Sequence, residues 1–326
     1  MALAPTAGRY RYASTVADVV TVEAPGKINL ALRVGARRPD GYHRLSTVFC
    51  AVSLTDTISA SAADDITCVV RGPEAAGVGP AERNLAVRAA EALRRRYAVT
   101  AGVHLAIDKQ IPVAGGMAGG SADAAGTMVA CARLWGLAVS GDDLVGLAAD
   151  LGADIPFCLV GGCALGQGRG DLVTPALSRG TYHWVLALAG AGLSTPRVFQ
   201  RYDRWQASLP VERRAPATPP LPVELLRALS SGDPVDLAPT LVNDLRPAAG
   251  ALLPGLEATI AAGERAGALA SVVCGSGPTV AFLAPDQAGA TDLAVALSSQ
   301  GVARRVRVVW GPRPGAVVVD DQGTAG

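Results

Sequence analysis

The sequence predicts a mixed α/β protein of two domains, and three observations support this. The chain has 326 residues, half of them apolar, which is enough for two domains of ordinary size. In the first half, strand-like segments lead into a glycine-rich loop and an alanine-rich helix. Beyond about residue 180 a different alternation of helices and strands begins. We therefore predict domains at 18–180 and 181–312.

The first domain begins with strand patterns, after an irregular extension over residues 1–17 that we expect to be flexible. Asn84 is a good N-cap for a helix over 85–97. Strands are predicted at 18–23, 28–34, 46–54, 57–62, 66–70 and 104–108, with breaks at 24–26 and 55–56.

The remaining elements follow the glycine-rich loop. Helices are predicted at 122–134, 144–150, 196–205, 223–229, 253–265 and 287–299. Strands are predicted at 163–165, 182–189, 270–274, 279–283 and 305–310. Residues 313–326 are rich in Gly, Pro, Asp and Thr, which predicts a flexible tail.

Composition excludes several classes of function. With 29 basic and 28 acidic residues, the charge balance does not indicate a nucleic-acid partner. No apolar run reaches 18 residues and no signal-peptide core is present, so we expect no membrane association and a cytoplasmic location. The six cysteines form no Cys-x-x-Cys pair and only three histidines accompany them, so we expect buried thiols rather than a zinc site.

The glycine-rich loop is the segment around which the other motifs are arranged. Four glycines fall within residues 115–120, followed by Ser121, a good N-cap, and the helix over 122–134. Free N–H groups and the helix dipole make such a junction an anion site, most often for phosphate. The loop lacks the lysine of a Walker A loop and the spacing of the dinucleotide fingerprint. Taken alone, it is equally well a plain glycine turn.

Four further segments are ordinary structure when each is taken alone. Lys27 and Asn29 share one face of a strand, as residues of a solvated edge strand also would. His43 follows a Pro-Asp-Gly turn, where a surface histidine is common. Asp154 precedes Ile-Pro, the pattern of a helix N-cap. Residues 275–277 form a glycine turn between two strands.

Together these motifs resemble the GHMP kinase superfamily of small-molecule kinases. The phosphate loop is Pro-x-x-Gly-Gly-x-x-Gly-Gly-Ser at 112–121, and Ala-Pro-x-Lys-x-Asn-Leu at 24–30 resembles the first family motif. Arg-x-Asp-Gly-Tyr-His-x-Leu at 38–45 resembles a signature of the branch that acts on 4-diphosphocytidyl-2-C-methyl-D-erythritol. Gly-Ala-Asp-x-Pro at 152–156 resembles the segment that holds the catalytic aspartate. The resemblance runs from about residue 22 to 310.

Small departures accompany the resemblance. Met117, Ala118 and Ala122 differ from the usual phosphate loop, and the Ala118 methyl group is expected to narrow the nucleotide pocket without removing an N–H donor. Cys274 stands in place of the first serine of the second-domain glycine loop.

The resemblance implies a fold and a reaction. The fold is an N-terminal α/β ATP-binding domain and a ferredoxin-like C-terminal domain, with the active site in the cleft between them. The reaction is ATP-dependent phosphorylation of the substrate's 2-hydroxyl, a step in non-mevalonate isoprenoid precursor synthesis. Asp154 is the candidate base, Lys27 would stabilise charge near the transferred group, and Asn29 would position the hydroxyl or a phosphate.

The resemblance also implies the binding residues for ATP, for Mg²⁺ and for the cytidine diphosphate sugar alcohol. Nucleotide binding is assigned to Asn84, Pro112, Val113, Ala114, Gly115, Gly116, Met117, Ala118, Gly119, Gly120, Ser121 and Ala122. Ser121 is a candidate Mg²⁺ ligand, and no carboxylate partner for it is evident. Substrate binding is assigned to Tyr42, His43, Thr195, Phe199, Gly275, Ser276 and Gly277. Tyr42 and Phe199 would stack on the cytosine and His43 would hydrogen-bond its polar edge.

Two alternatives remain at this point. Another GHMP kinase, of the homoserine or mevalonate type, is disfavoured by the block at 38–45. A non-catalytic nucleotide-binding module is disfavoured because Lys27 and Asp154 are both present, and a binder needs no proton acceptor. We expect a monomer or a weak homodimer.

Overall fold

The computed structural model describes residues 19–80 and 83–319. The predicted extension at 1–17 therefore lies outside the described residues. The strands are β1 Val19–Arg37, β2 His43–Ala63, β3 Ile66–Arg71, β4 Gly102–Asp108, β5 Cys163–Gly168, β6 Leu172–Ala176, β7 Tyr182–Leu188, β8 Val242–Asn243, β9 Ala270–Val273, β10 Val280–Ala284, β11 Arg305–Gly311 and β12 Val317–Val318. The helices are α1 Leu85–Arg96, α2 Gly119–Leu134, α3 Gly141–Leu151, α4 Ile155–Val160, α5 Thr195–Ser208, α6 Val223–Ser231, α7 Pro234–Leu237, α8 Arg246–Leu252, α9 Gly255–Arg265 and α10 Gln287–Ser299.

Two long antiparallel strands, β1 and β2, form the backbone of the first sheet. The predicted breaks at 24–26 and 55–56 are wrong, because pairing continues through both segments, with Pro25 opposite Thr55. The register instead shifts between Pro25 and Lys27 and again between Asn29 and Ala31. Such bulges absorb a residue without ending a strand, and they redirect side chains. They lie where the polar motif at 24–30 faces the site.

The first sheet covers α2 and so positions the phosphate loop. In the described part of the chain it has the order β12-β1-β2-β4-β3, with β5 on β2, β6 on β5 and β8 on β1. Helix α2 is buried over nearly its whole length. Its alanines and Gly126 let it lie close to the sheet, since a Cβ at Gly126 would stand 2.5 Å from the Ile58 side chain. The N-terminus of α2 is thereby held rigidly at the end of the sheet.

Several predicted helix boundaries need correction. Helix α2 begins at Gly119 with Ala118 in the N-cap position, so Ser121 lies inside the first turn and is not the cap. Ser140 and Asp143 form a capping box that starts α3 three residues earlier than predicted. The short helices α7 and α8 and the strand β6 were missed, because segments of four to seven residues carry little periodic signal. The helix start predicted at Asp154 is confirmed as that of α4.

The second sheet confirms the predicted α/β class and the ferredoxin-like part. Its strand order is β11-β7-β10-β9, antiparallel throughout, and α10 connects β10 to β11. A separate core lies between this sheet and α5, α8, α9 and α10. Among the described residues, no helix combines the length and the apolar character needed to cross a membrane.

The end of the described chain returns to the first sheet. Residues 313–319 were predicted to be part of a flexible tail, and this is wrong. Val317 and Val318 pair with Glu23 and Val22 of β1, and Ala316 N donates to the Cys158 carbonyl. The composition of residues 313–319 does not predict this pairing, because it depends on the distant strand β1. Residues 320–326 lie outside the described residues.

Candidate active site

The phosphate loop adopts a strained backbone at the N-terminus of α2. Ala114 and Ala118 have φ values of 54° and 60°, in the left-handed region. An L-residue there costs about 1–2 kcal/mol, and such strain is concentrated at functional loops. The Ala118 side chain packs against the hydrophobic core, so its methyl group also anchors the loop.

The phosphate loop contacts a loop from the second half of the chain, residues 274–279. Thr279 N donates to the Gly115 carbonyl at 3.3 Å. A Cβ on Gly116 would stand 1.9 Å from the Cys274 carbonyl oxygen, so no larger residue fits. Residues 274–279 are therefore seated directly on the phosphate loop.

Lys27 is held in one orientation by a chain of hydrogen bonds. Its Nζ donates to Asn29 Oδ1 at 2.6 Å, and Asn29 Nδ2 donates to Thr47 Oγ1 at 2.9 Å. Thr47 in turn donates to the Ala31 carbonyl at 2.6 Å. The backbone N–H of Lys27 donates to the Met117 carbonyl, and this hydrogen bond connects β1 to the phosphate loop. The lysine is buried, so its charge is fixed in place rather than mobile.

Asp154 faces Lys27 across the cavity. The two charged groups are 4.0 Å apart, with Lys27 buried and the Asp154 side chain 37% exposed. Asp154 occupies the N-cap position of α4, but its carboxylate makes no capping hydrogen bond, so the predicted capping role is wrong. The carboxylate is thus directed to Lys27 and the cavity instead of to the helix.

A buried ion cluster lies beneath the phosphate loop and was missed. The Lys109 Nζ contacts the carboxylates of both Asp56 and Asp123, the latter at 2.9 Å. Asp56 Oδ1 also accepts from the N–H groups of Gln110 and Ile111, at the start of the loop. Burial raises the pKa of Asp123 to about 7, opposed by Lys109 and assisted by Asp56. The cluster joins the start of the loop to the first turn of α2.

A sequence signal for this cluster did exist. Only two of the 29 basic residues are lysines, Lys27 and Lys109, and both are buried at the site. In a chain whose other basic residues are arginines, a lysine indicates a position that suits a compact ammonium group better than a guanidinium group. Asp56 gave no such signal, because Thr-Asp resembles a turn.

The substrate side of the cavity is built from the β1–β2 end and α5. The rings of His43 and Phe199 lie 5.1 Å apart, and Arg169 lies 6.0 Å from the centre of the exposed Tyr42 ring. His43 Nδ1 is 2.8 Å from the Gly35 carbonyl oxygen and Nε2 is 3.2 Å from Asp203. Both nitrogens thus have protein partners, so the prediction that they read a base edge needs correction.

Three further hydrogen bonds hold the loop around residues 273–277. Thr195 and Ser276 share a hydrogen bond of 2.8 Å. Asn243 Nδ2 donates to the carbonyls of Val273 and Gly275, at 2.6 and 2.7 Å. The sequence gave no signal for Asn243, which lies in a short strand with no recognisable motif.

One cavity of about 1070 Å³ brings these parts together. It lies at the upper end of the range for small-molecule sites, which suits two substrates bound side by side. Asn84, whose side chain caps α1, also lines it. Three predicted contact residues do not line it: Met117 and Ala122 are in the hydrophobic core, and Gly277 packs against Val273. The other predicted site residues do.

We expect Gly120→Val to weaken ATP binding by at least about tenfold, or 1.4 kcal/mol. Gly120 is exposed to the cavity at the start of α2, and an added Cβ would meet only Leu85, at 3.6 Å. The fold should therefore tolerate the change while the side chain blocks the phosphates. Calorimetry measures ATP binding.

Gly146→Val is the matched control, because it makes the same change in helix α3 with nothing within 4 Å of the added Cβ. Gly119→Val is unsuitable, since its Cβ would lie 2.9 Å from Lys109 Nζ. Equal ATP affinities for the Gly120 and Gly146 variants would contradict the assignment of this loop to phosphate.

Comparison with known proteins agrees with this geometry. The profile described as GHMP kinases N terminal domain matches residues 84–162, and GHMP kinases C terminal matches residues 225–303. The fold is that of a GHMP small-molecule kinase.

Similar curated proteins narrow this further. A 4-diphosphocytidyl-2-C-methyl-D-erythritol kinase of Rhodococcus jostii is 50% identical, covering 94% of this chain and 97% of the relative. One of Mycolicibacterium smegmatis is 52% identical and covers 92% of each. The chain belongs to the 4-diphosphocytidyl-2-C-methyl-D-erythritol kinase family.

Solved structures support the same placement. A crystal structure of 4-(cytidine 5'-diphospho)-2C-methyl-D-erythritol kinase superposes with a TM-score of 0.72 at 31% identity, covering 89% of this chain and 99% of that one. A homoserine kinase from Cytophaga hutchinsonii gives a TM-score of 0.73 at 17% identity, covering 94% of this chain and 99% of that one, and so shares the fold.

Proposed function

We propose that this chain transfers the γ-phosphoryl group of ATP to the 2-hydroxyl of 4-diphosphocytidyl-2-C-methyl-D-erythritol. The observation that carries the proposal is a single cavity with three parts. The N-terminus of α2 opens into it, the Lys27–Asp154 pair lies in its wall, and the aromatic groups of residues 42, 43 and 199 line its far side. The roughly 50% identity to kinases named for this substrate supports the choice of acceptor.

The mechanism assigns one task to each polar group. Backbone N–H groups of the phosphate loop and the dipole of α2 bind the ATP phosphates. Asp154 accepts the proton of the attacking hydroxyl, which is tertiary and crowded, so alignment matters more than basicity. Lys27, oriented by Asn29 and Thr47, stabilises the charge of the transferred group.

The site suits a magnesium ion that arrives with the nucleotide. Among residues 19–80 and 83–319, no group of three or more His, Cys, Asp or Glu side chains is arranged to hold a metal by itself. Mg²⁺ in kinases is often bound through phosphate oxygens, waters and one or two protein oxygens. Ser121 is the candidate protein ligand here, and the ion would neutralise phosphate charge.

The thiols support a cytoplasmic location, which we also propose. All six cysteines are unpaired. Free thiols are usual in a reducing compartment, so we assign the reaction to the cytoplasm.

Phe199→Ala is expected to raise KM for the cytidylyl substrate by about 5- to 150-fold. An aromatic–base stack lost to alanine costs about 1–3 kcal/mol. KM for ATP should stay nearly constant, because Phe199 packs on His43 and the second core rather than on the phosphate loop. Steady-state kinetics with each substrate varied in turn, together with the Tm, measure this.

Trp205→Ala controls for the loss of an aromatic ring from the same helix. Trp205 packs on Tyr202 and does not line the cavity. Phe199 is half-buried against the second core, so a purely structural role remains the rival explanation. That role would lower Tm and affect both substrates alike.

ADP release with a panel of acceptors tests the proposed function. We expect kcat/KM for the cytidylyl substrate to exceed those for homoserine and mevalonate by about 100-fold or more. The small acceptors have no nucleobase and therefore cannot contact the residues that would bind it. Preference for homoserine or mevalonate would assign the chain to another acceptor. ADP release with none of them would favour the binding module.

A further inference from the structure

Helix α5 presents three side chains to the substrate side of the cavity at a spacing of four residues. Thr195, Phe199 and Asp203 follow one another along one face of the helix. The first contacts Ser276 and the second packs on His43. Asp203 belongs to none of the sequence motifs, and unlike the other two it contacts charged or titratable side chains, those of His43 and Arg37.

The Asp203 carboxylate bridges from α5 to the end of the β1–β2 pair. Its Oδ1 lies 3.2 Å from His43 Nε2, and its Oδ2 lies 3.6 Å from Arg37 Nε. Its side chain is 26% exposed, so the contact with the nearly buried His43 is partly shielded from water. Partly shielded polar contacts of this kind hold geometry better than fully solvated ones.

The imidazole of His43 has two polar and two aromatic partners. The Gly35 carbonyl holds Nδ1 and Asp203 holds Nε2, while the Phe199 ring packs at 5.1 Å with a tilt of 31° and the Tyr202 ring lies edge-on at 6.0 Å. Of the two polar partners, only Asp203 comes from α5, the helix that carries Phe199. Its carboxylate is the hydrogen-bonding link between the His43 ring and the helix of the Phe199 ring.

We infer that Asp203 is a positioning residue for nucleobase recognition, which acts by holding His43 in register with Phe199. The inference rests on the proposed function, since it takes the nucleobase to lie beside these rings.

Kinetics of Asp203→Ala give the first test. Loss of one such hydrogen bond should raise KM for the cytidylyl substrate by about 3- to 10-fold, with kcat and KM for ATP within about twofold of wild type. Asp203→Asn keeps an acceptor for His43 and should recover most of the affinity.

Tyr202→Phe is the matched control from the adjacent position. The Tyr202 hydroxyl donates to the Val34 carbonyl at 3.0 Å, so it too joins α5 to β1, but it does not hydrogen-bond His43. This variant should lose Tm and keep both KM values. A fall in Tm without a change in substrate KM for Asp203→Ala would reduce Asp203 to the same structural role and overturn the inference.

The closing experiment needs no substrate and so separates this inference from the proposed function. Nitrogen-15 NMR of the full chain resolves the imidazoles of the three histidines, and a His43→Gln variant identifies the signals of His43. Asp203→Ala should shift the Nε2 resonance of His43, and Tyr202→Phe should leave it in place. An unchanged Nε2 resonance overturns the inference even if the kinase reaction is confirmed. A shifted one upholds the contact even if the acceptor proves to be a different molecule.

Discussion

Asp154→Asn is expected to lower kcat by about 10²- to 10⁴-fold while KM for each substrate changes little. The amide has the same shape as the carboxylate but cannot accept the hydroxyl proton. Because Asp154 makes no capping hydrogen bond in the structure, the change should not disturb helix α4. Single-turnover rates of the purified variant measure the loss of catalysis, and its Tm measures whether helix α4 is undisturbed.

Asp150→Asn is the matched control for this experiment. Asp150 is another carboxylate lining the same cavity, at the end of α3, but it has no contact with Lys27 among the described ion pairs. Its turnover should stay within a few-fold of wild type. If the Asp154 variant also does, Asp154 is not the base and the Lys27–Asp154 pair serves only to align the site.

The second large effect concerns stability. Lys109→Met should lower the free energy of unfolding by about 3–5 kcal/mol, because it leaves two buried carboxylates without their shared cation. Asp56 is completely buried and Asp123 nearly so, so water cannot solvate their carboxylates in place of the Lys109 ammonium group. Urea unfolding at neutral pH measures the loss.

A double variant distinguishes charge from packing in this cluster. Asp56→Asn keeps the acceptor for the N–H groups of Gln110 and Ile111 and removes one uncompensated charge. Combined with Lys109→Met, it should restore part of the stability, giving a coupling energy of at least about 1 kcal/mol. Strict additivity, or a loss below about 1 kcal/mol for Lys109→Met alone, would show that the cluster contributes little.

The fold was predictable wherever local signals and tertiary pairing agree. The strand–loop–helix around the phosphate loop is of this kind, whereas the ferredoxin-like order of the second sheet was expected only from the family resemblance. Predictions failed where pairing overrides local preference. Pro25 and Gly26 resemble a chain break, yet β1 continues through them at a shift in the pairing register, and Val317 pairs with β1 from within a segment whose composition predicts a flexible tail.

The site shows the same division. Motifs located Lys27, Asp154 and the glycine loop because each lies in a contiguous pattern. The support of these residues comes from far along the chain: Asp203 is 160 positions from His43, and Asn243 holds a loop 30 positions away. No local pattern encodes such contacts, since they exist only once the sheets have assembled.

Phosphorus-31 NMR of the reaction of ATP with 4-diphosphocytidyl-2-C-methyl-D-erythritol tests the central proposal most directly. The 2-hydroxyl is on a carbon that carries no hydrogen, so phosphorylation there gives a new phosphomonoester signal without proton splitting. We predict such a singlet, growing in step with ADP. A triplet or doublet would place the phosphate on a primary or secondary hydroxyl, and the absence of any new phosphomonoester would contradict the proposed reaction.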